Sequence, residues 1–213
     1  MSPLYARSRQ WLRLGAALLT IFPGAALAQG ALDPGAVEAL SAELRADQEA
    51  HLWRVGAWGA ANVAGGVALL ALSDREGDAF RHGLGMQSAA WGGVNVGIAA
   101  VGLARGTGGT TGAWADALGA ENGYADILLV NLGLNVGYAA VGGTLLAVAG
   151  RGVSNPSAWR GHGTALLLQG AGLFVLDGVA YLASRTRLDA LVELAAAGAV
   201  AVGPGSLYVV IGL

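Results

Sequence analysis

The sequence predicts an all-α integral membrane protein: a four-helix bundle of two tandem helical hairpins, an extracytoplasmic N-terminal helix and an irregular apolar C-terminal segment. Three observations carry this expectation. Of 213 residues 54% are hydrophobic and only 12% charged, with 36 glycines and a mean hydropathy of +0.55, too apolar for an ordinary soluble domain. Four apolar stretches are each close to the roughly 20 residues that cross hydrocarbon. Within them, polar side chains recur at helical spacing.

Charge and cysteine content exclude several functions. The formal charge is −2 and the basic residues are scattered arginines, so there is no concentrated positive face for nucleic acid. The chain has no cysteine, which removes disulfides, thiolate metal sites and cysteine nucleophiles.

In chain order, Arg7, Arg9 and Arg13 precede the apolar run Leu14 to Phe22 and the small-residue sequence Ala26-Leu27-Ala28. This pattern predicts a signal peptide over residues 1–28, so that the mature N-terminus is extracytoplasmic. Asp33-Pro34 offers an N-cap followed by proline at the first helical position. A helix over residues 29–53 is expected at the membrane surface, or else as a lead-in continuous with the first span. The four-span domain occupies residues 54–184, with spans near Val55–Leu72, Leu84–Ala104, Ile127–Ala149 and Gly163–Ala183. Arg75, Arg81, Arg151 and Arg160 flank one side and Arg54, Arg105, Arg185 and Arg187 the other, so loop charge does not set orientation. The signal peptide alone does. In residues 185–213, Glu193 and Gly203-Pro204-Gly205 interrupt an apolar run, leaving open whether it spans.

The spans resemble one another. Trp58 and Asn62 in the first match Trp91 and Asn95 in the second, both i, i+4 pairs on one helical face; the third carries Asn131 and Asn135. Gln87 and Asn95 in the second span correspond to Gln169 and Asp177 in the fourth, both eight apart. An internal repeat of two hairpins is therefore expected. Counted from the flanking charges, Asn62, Asn95, Asn135 and Asp177 fall about 12–15 Å inside the outer boundary, which predicts one polar intramembrane layer with Asn131, Gln87 and Gln169 on the same faces. Trp58, Trp91 and Tyr138 are its aromatic partners. Asp177 is expected to lack a basic partner, and an ionisable group in hydrocarbon marks function or a paired network.

His82 and His162 both lie at the cytoplasmic ends of spans and are weak candidates for a shared metal or haem iron; His51 lies on the opposite side. No nucleophile motif occurs, and Gly106 to Gly112 lacks the lysine of a phosphate loop. No catalytic residue, metal or cofactor is assigned.

The runs Trp58-Gly-x-x-Asn62, Trp91-Gly-x-x-Asn95, Asn131-Leu-Gly-Leu-Asn135-Val-Gly-Tyr138 and Gln169-Gly-x-x-Leu173-x-x-x-Asp177 resemble an uncharacterised family of small bacterial multi-span membrane proteins, a domain of unknown function. The likeness covers roughly residues 44–184. It implies an aspartate where this chain has Asn135, leaving Asp177 the only carboxyl of the layer, and it implies no activity. The expected function is a non-enzymatic scaffold or interaction subunit of the bacterial inner membrane, its partners the lipid bilayer and either a second copy or another membrane protein. The alternative is a small transporter or proton-coupled channel subunit using Asp177; a third is a haem or metal carrier using His82 and His162.

Overall fold

A computed structural model describes residues 32–198, 200–203 and 206–209. The expected signal peptide lies outside them. Four helices run in order: α1 (Pro34–Ala71), α2 (Ala79–Arg105), α3 (Trp114–Ala149) and α4 (Pro156–Gly198). Separately, where an irregular segment was expected, β1 (Val200–Gly203) pairs antiparallel with β2 (Ser206–Val209), Val200 opposite Val209 and Gly203 opposite Ser206. The β-branched valines suit extended backbone.

Local sequence sets the helix starts. Asp33 accepts from the Gly35 N–H at 2.9 Å with Pro34 in the first turn, Asp78 accepts from the Arg81 N–H, and Asn155 accepts from the Ala158 N–H at 3.1 Å ahead of Pro156. Each side chain satisfies a donor the first turn leaves free. The candidate surface helix and the first candidate span are one helix of 38 residues, the lead-in alternative. The fourth likewise continues past Arg185 and Arg187 into a helix of 43 residues.

Glycine governs the packing. A Cβ at Gly59 would lie 2.7 Å from the Gly92 carbonyl oxygen, and one at Gly92 would lie 2.6 Å from that of Gly59. Gly66 and Gly85 repeat this contact seven residues along, so α1 and α2 touch backbone to backbone, as small residues permit. Between α3 and α4, Gly142 and Gly163 meet reciprocally at 2.7 Å, and Gly170 meets the Asn135 carbonyl at 2.6 Å. α2 and α4 approach where Gly83 faces the Ala158 carbonyl and Gly161 that of Phe80. Trp58 of α1 packs on Gly172 of α4.

The backbones of α2 and α3 stand apart. Their connection, with Gly106 and Gly108 in the left-handed region (φ 74° and 82°), runs along α1, where Thr111 N–H donates to Ser41 Oγ at 3.1 Å. Beyond the end of α2, the other three helices share a small core of Val37, Ala117 and Leu191, and below it one of Leu44, Tyr124, Leu128 and Ala180.

The outward face is apolar. Ile127, Leu129, Val130 and Val136 on α3, Leu168, Val175, Val179 and Leu182 on α4, and Val94, Ile98 and Val101 on α2 are all exposed. α3 and α4 are long and apolar enough to cross a membrane.

Candidate functional site

Polar side chains are among the most deeply buried. Asn95, Asn135, Gln169 and Asp177 are each at most 4% exposed, and α4 gathers them at two points. At the first, Gln169 Oε1 accepts from Trp58 Nε1 of α1 at 3.0 Å and from Asn95 Nδ2 of α2 at 3.2 Å. At the second, Asp177 Oδ2 accepts from Asn135 Nδ2 of α3 at 2.6 Å, and Asp177 Oδ1 lies 3.0 Å from His51 Nε2 of α1. Being eight positions apart on α4, Gln169 and Asp177 place the two points about 12 Å apart along its axis.

The expected single layer therefore divides into two levels, and some expected members stand elsewhere. Asn62 is half-buried and donates to the Trp58 carbonyl of its own helix at 2.8 Å. Gln87 meets His162 Nδ1 at 3.2 Å near the opposite end of the bundle. Asn131 lines a cavity. Trp91 and Tyr138 pack on each other, ring centres 4.6 Å apart and tilted by 53°.

The expectation that Asp177 lacks a basic partner is overturned by His51. Counting depth from Arg54 and Arg185 takes both arginines as marks of one plane. α4 continues well past Arg185, so the helices are staggered and His51 comes level with Asp177. The carboxyl holds the imidazole with Nε2 as donor, leaving Nδ1 as the second functional atom. His51 Nδ1 and Tyr124 Oη are both buried without a hydrogen-bond partner.

Both residues line a cavity of about 410 Å³ in the gap between α2 and α3. Its back wall is the buried set His51, Asn95, Asn135 and Asp177; its mouth carries the exposed Val94, Ile98, Ile127 and Leu134. Trp91 and Tyr138 line it on one side and Arg105 and Thr107 on another. It is a largely apolar cleft with a few convergent polar groups, the usual form of a small-molecule site.

A second polar cluster, which the sequence does not foreshadow, joins α1, α3 and α4. Arg187 Nε and Nη2 bind the two oxygens of Glu121 at 2.8 and 3.1 Å, its Nη1 pairs with Asp47, and Ser184 Oγ donates to Glu121 Oε1 at 2.5 Å. Burial pulls the Arg187 guanidinium down, but Glu121 and Asp47 more than offset it and leave it above its ordinary value. The only hints in the sequence are single charges in helical stretches, with nothing to pair them.

His82 and His162 lie at the other end. Burial, then the charge of His82, hold His162 below the ordinary histidine value. Among the described residues no group of three His, Cys, Asp or Glu is placed to hold a metal ion.

A family model matches residues 54–178. That stretch includes Asn95, Asn135, Gln169 and Asp177 but stops short of His51, Asp47, Ser184 and Arg187. No curated protein and no solved structure matches the chain. With more than half of its length matched, the chain belongs to DUF6992, a family of unknown function.

Proposed function

We propose that this chain is a multi-pass protein of the bacterial inner membrane, mature N-terminus outside, acting without catalysis as a scaffold or interaction subunit. The observation that supports it is an outward face rich in Val, Leu and Ile on α2, α3 and α4, with amides and a carboxyl buried between the helices. In water such an outer surface is an aggregation liability, whereas in lipid it costs nothing and the polar groups fix helix register. A duplicated hairpin accounts for glycine contacts at the same seven-residue spacing in α1–α2 and α3–α4.

The test is fractionation and flux. The full chain stays with carbonate-washed membranes, and proteoliposomes holding it with a trapped pH-sensitive dye show no proton leak above empty vesicles. Release by carbonate sinks the membrane reading. A leak that Asp177→Asn abolishes replaces the scaffold with a proton pathway, the second reading, which the contact of His51 with Asp177 beside an open cleft favours. The haem or metal carrier finds less support, because among the described residues no third His, Asp or Glu joins His82 and His162 in a metal-binding group.

A further inference from the structure

We propose that the cleft between α2 and α3 binds a membrane-soluble molecule carrying a phenolic hydroxyl on an aromatic ring with an apolar tail. The hydroxyl meets His51 and Tyr124, the ring lies against Trp91 and Tyr138, and the tail leaves past Ile98 and Ile127.

The chemistry of the back wall selects the head group. Asp177 engages His51 Nε2, so Nδ1 is the ring nitrogen left without a partner. Tyr124 Oη is a hydroxyl in need of a partner. A carbonyl can only accept and an ammonium can only donate, whereas an imidazole nitrogen and a tyrosine hydroxyl can each take either role. A hydroxyl brings both, and a phenol, being the stronger hydrogen-bond donor, suits an imidazole backed by a carboxyl better than an alkanol does. Leaving such groups unpaired in a buried site is costly, so a ligand that satisfies them is strongly preferred to an isostere that does not.

The walls select the rest. Trp91 and Tyr138 already pack as a tilted pair, and a third ring extends that arrangement favourably. The cavity of about 410 Å³ suits a substituted single ring. Its mouth is flanked by exposed Val94, Ile98, Ile127 and Leu134, so in a bilayer it opens sideways into lipid. That route of entry rests on the membrane reading, while binding in the cleft does not.

The experiment measures tritiated 4-octylphenol on the full chain in nanodiscs, above empty nanodiscs, with unlabelled 4-octylphenol or octylbenzene as competitor. Saturable binding is expected, with octylbenzene competing at least about tenfold less well, the scale set by one lost hydrogen bond at a buried site. His51→Phe reduces that preference to about twofold or less. Ile98→Trp, at an exposed position whose change leaves thermal unfolding as in the parent, plugs the mouth and removes saturable binding. The proposal is overturned by absence of saturable binding, by equal competition from octylbenzene, or by an Ile98→Trp protein that binds like the parent. Carbonate extraction reads the membrane assignment independently, so the two failures are distinguishable.

Discussion

At the scale of single residues, the largest dependence on one side chain lies in the cluster around Glu121, which is 1% exposed and has Arg187 on both oxygens. Arg187→Met leaves that carboxylate buried and uncompensated, and the expected loss is about 3–5 kcal/mol, seen as lowered thermal unfolding in detergent. Adding Glu121→Gln restores part of it; a double variant no more stable than Arg187→Met contradicts this account. His162 gives a pH dependence of definite sign. Its folded-state pKa lies below the ordinary 6.5, so the unfolded chain takes the proton first. Stability is then full above 6.5 and declines as pH falls through that value towards the folded pKa. Asp74, held below 3.8 first by the Gly77 and then by the Glu76 backbone N–H, keeps its contribution above 3.8 and loses it only below. Between pH 7.5 and 5, therefore, unfolding temperature falls more steeply for the parent than for His162→Gln. A parallel fall in both would remove His162 from the explanation. Asn95, Asn135, Gln169 and Asp177 were legible in sequence because a polar side chain in an apolar helical run has few places to go. His51 was not, because its pairing depends on a stagger between α1 and α4 that depth counting cannot supply.

At the scale of elements, glycines divide into contact and free positions. Gly59→Ala and Gly142→Ala drive a Cβ to 2.7 Å from a carbonyl oxygen of the facing helix, and the helices must part. The expected cost is about 1–3 kcal/mol each. At Gly97 and Gly137 a Cβ would meet nothing within 4 Å, so alanine there stabilises by about 0.5–1 kcal/mol through the unfolded chain. Thermal unfolding of the four variants should split into two pairs of opposite sign; a single common direction would show that glycine identity does not govern the contacts. The four helices were legible from apolar length, and the start of the first from Asp33-Pro34. Their merging was not. Arg185 and Arg187 look like the flank of a span, yet Arg187 sits inside α4 because Glu121 and Asp47 supply its partners from two other helices.

At the scale of the molecule, helix length has a consequence for placement. α1, α3 and α4, of 38, 36 and 43 residues, measure about 57, 54 and 64 Å, against about 30 Å of hydrocarbon. α2, with 27 residues, measures about 40 Å and ends where the other three continue around the Asp47–Glu121–Arg187 cluster. If the apolar faces of α3 and α4 lie in lipid, that three-helix extension stands in water on the side where α1 begins, and the turn holding Asp74 and Arg75 stands on the other. Because the chain has no cysteine, single introduced cysteines report placement cleanly. In right-side-out vesicles, Glu43→Cys, at an exposed position of the extension, reacts with a membrane-impermeant maleimide. Arg75→Cys reacts only after the vesicles are opened, and Val130→Cys, which is 63% exposed, resists the aqueous reagent in both states. Reaction of Val130→Cys with the aqueous reagent would put the apolar face in water. Labelling of Glu43→Cys and Arg75→Cys from one side would mean that α1 lies along the membrane instead of crossing it.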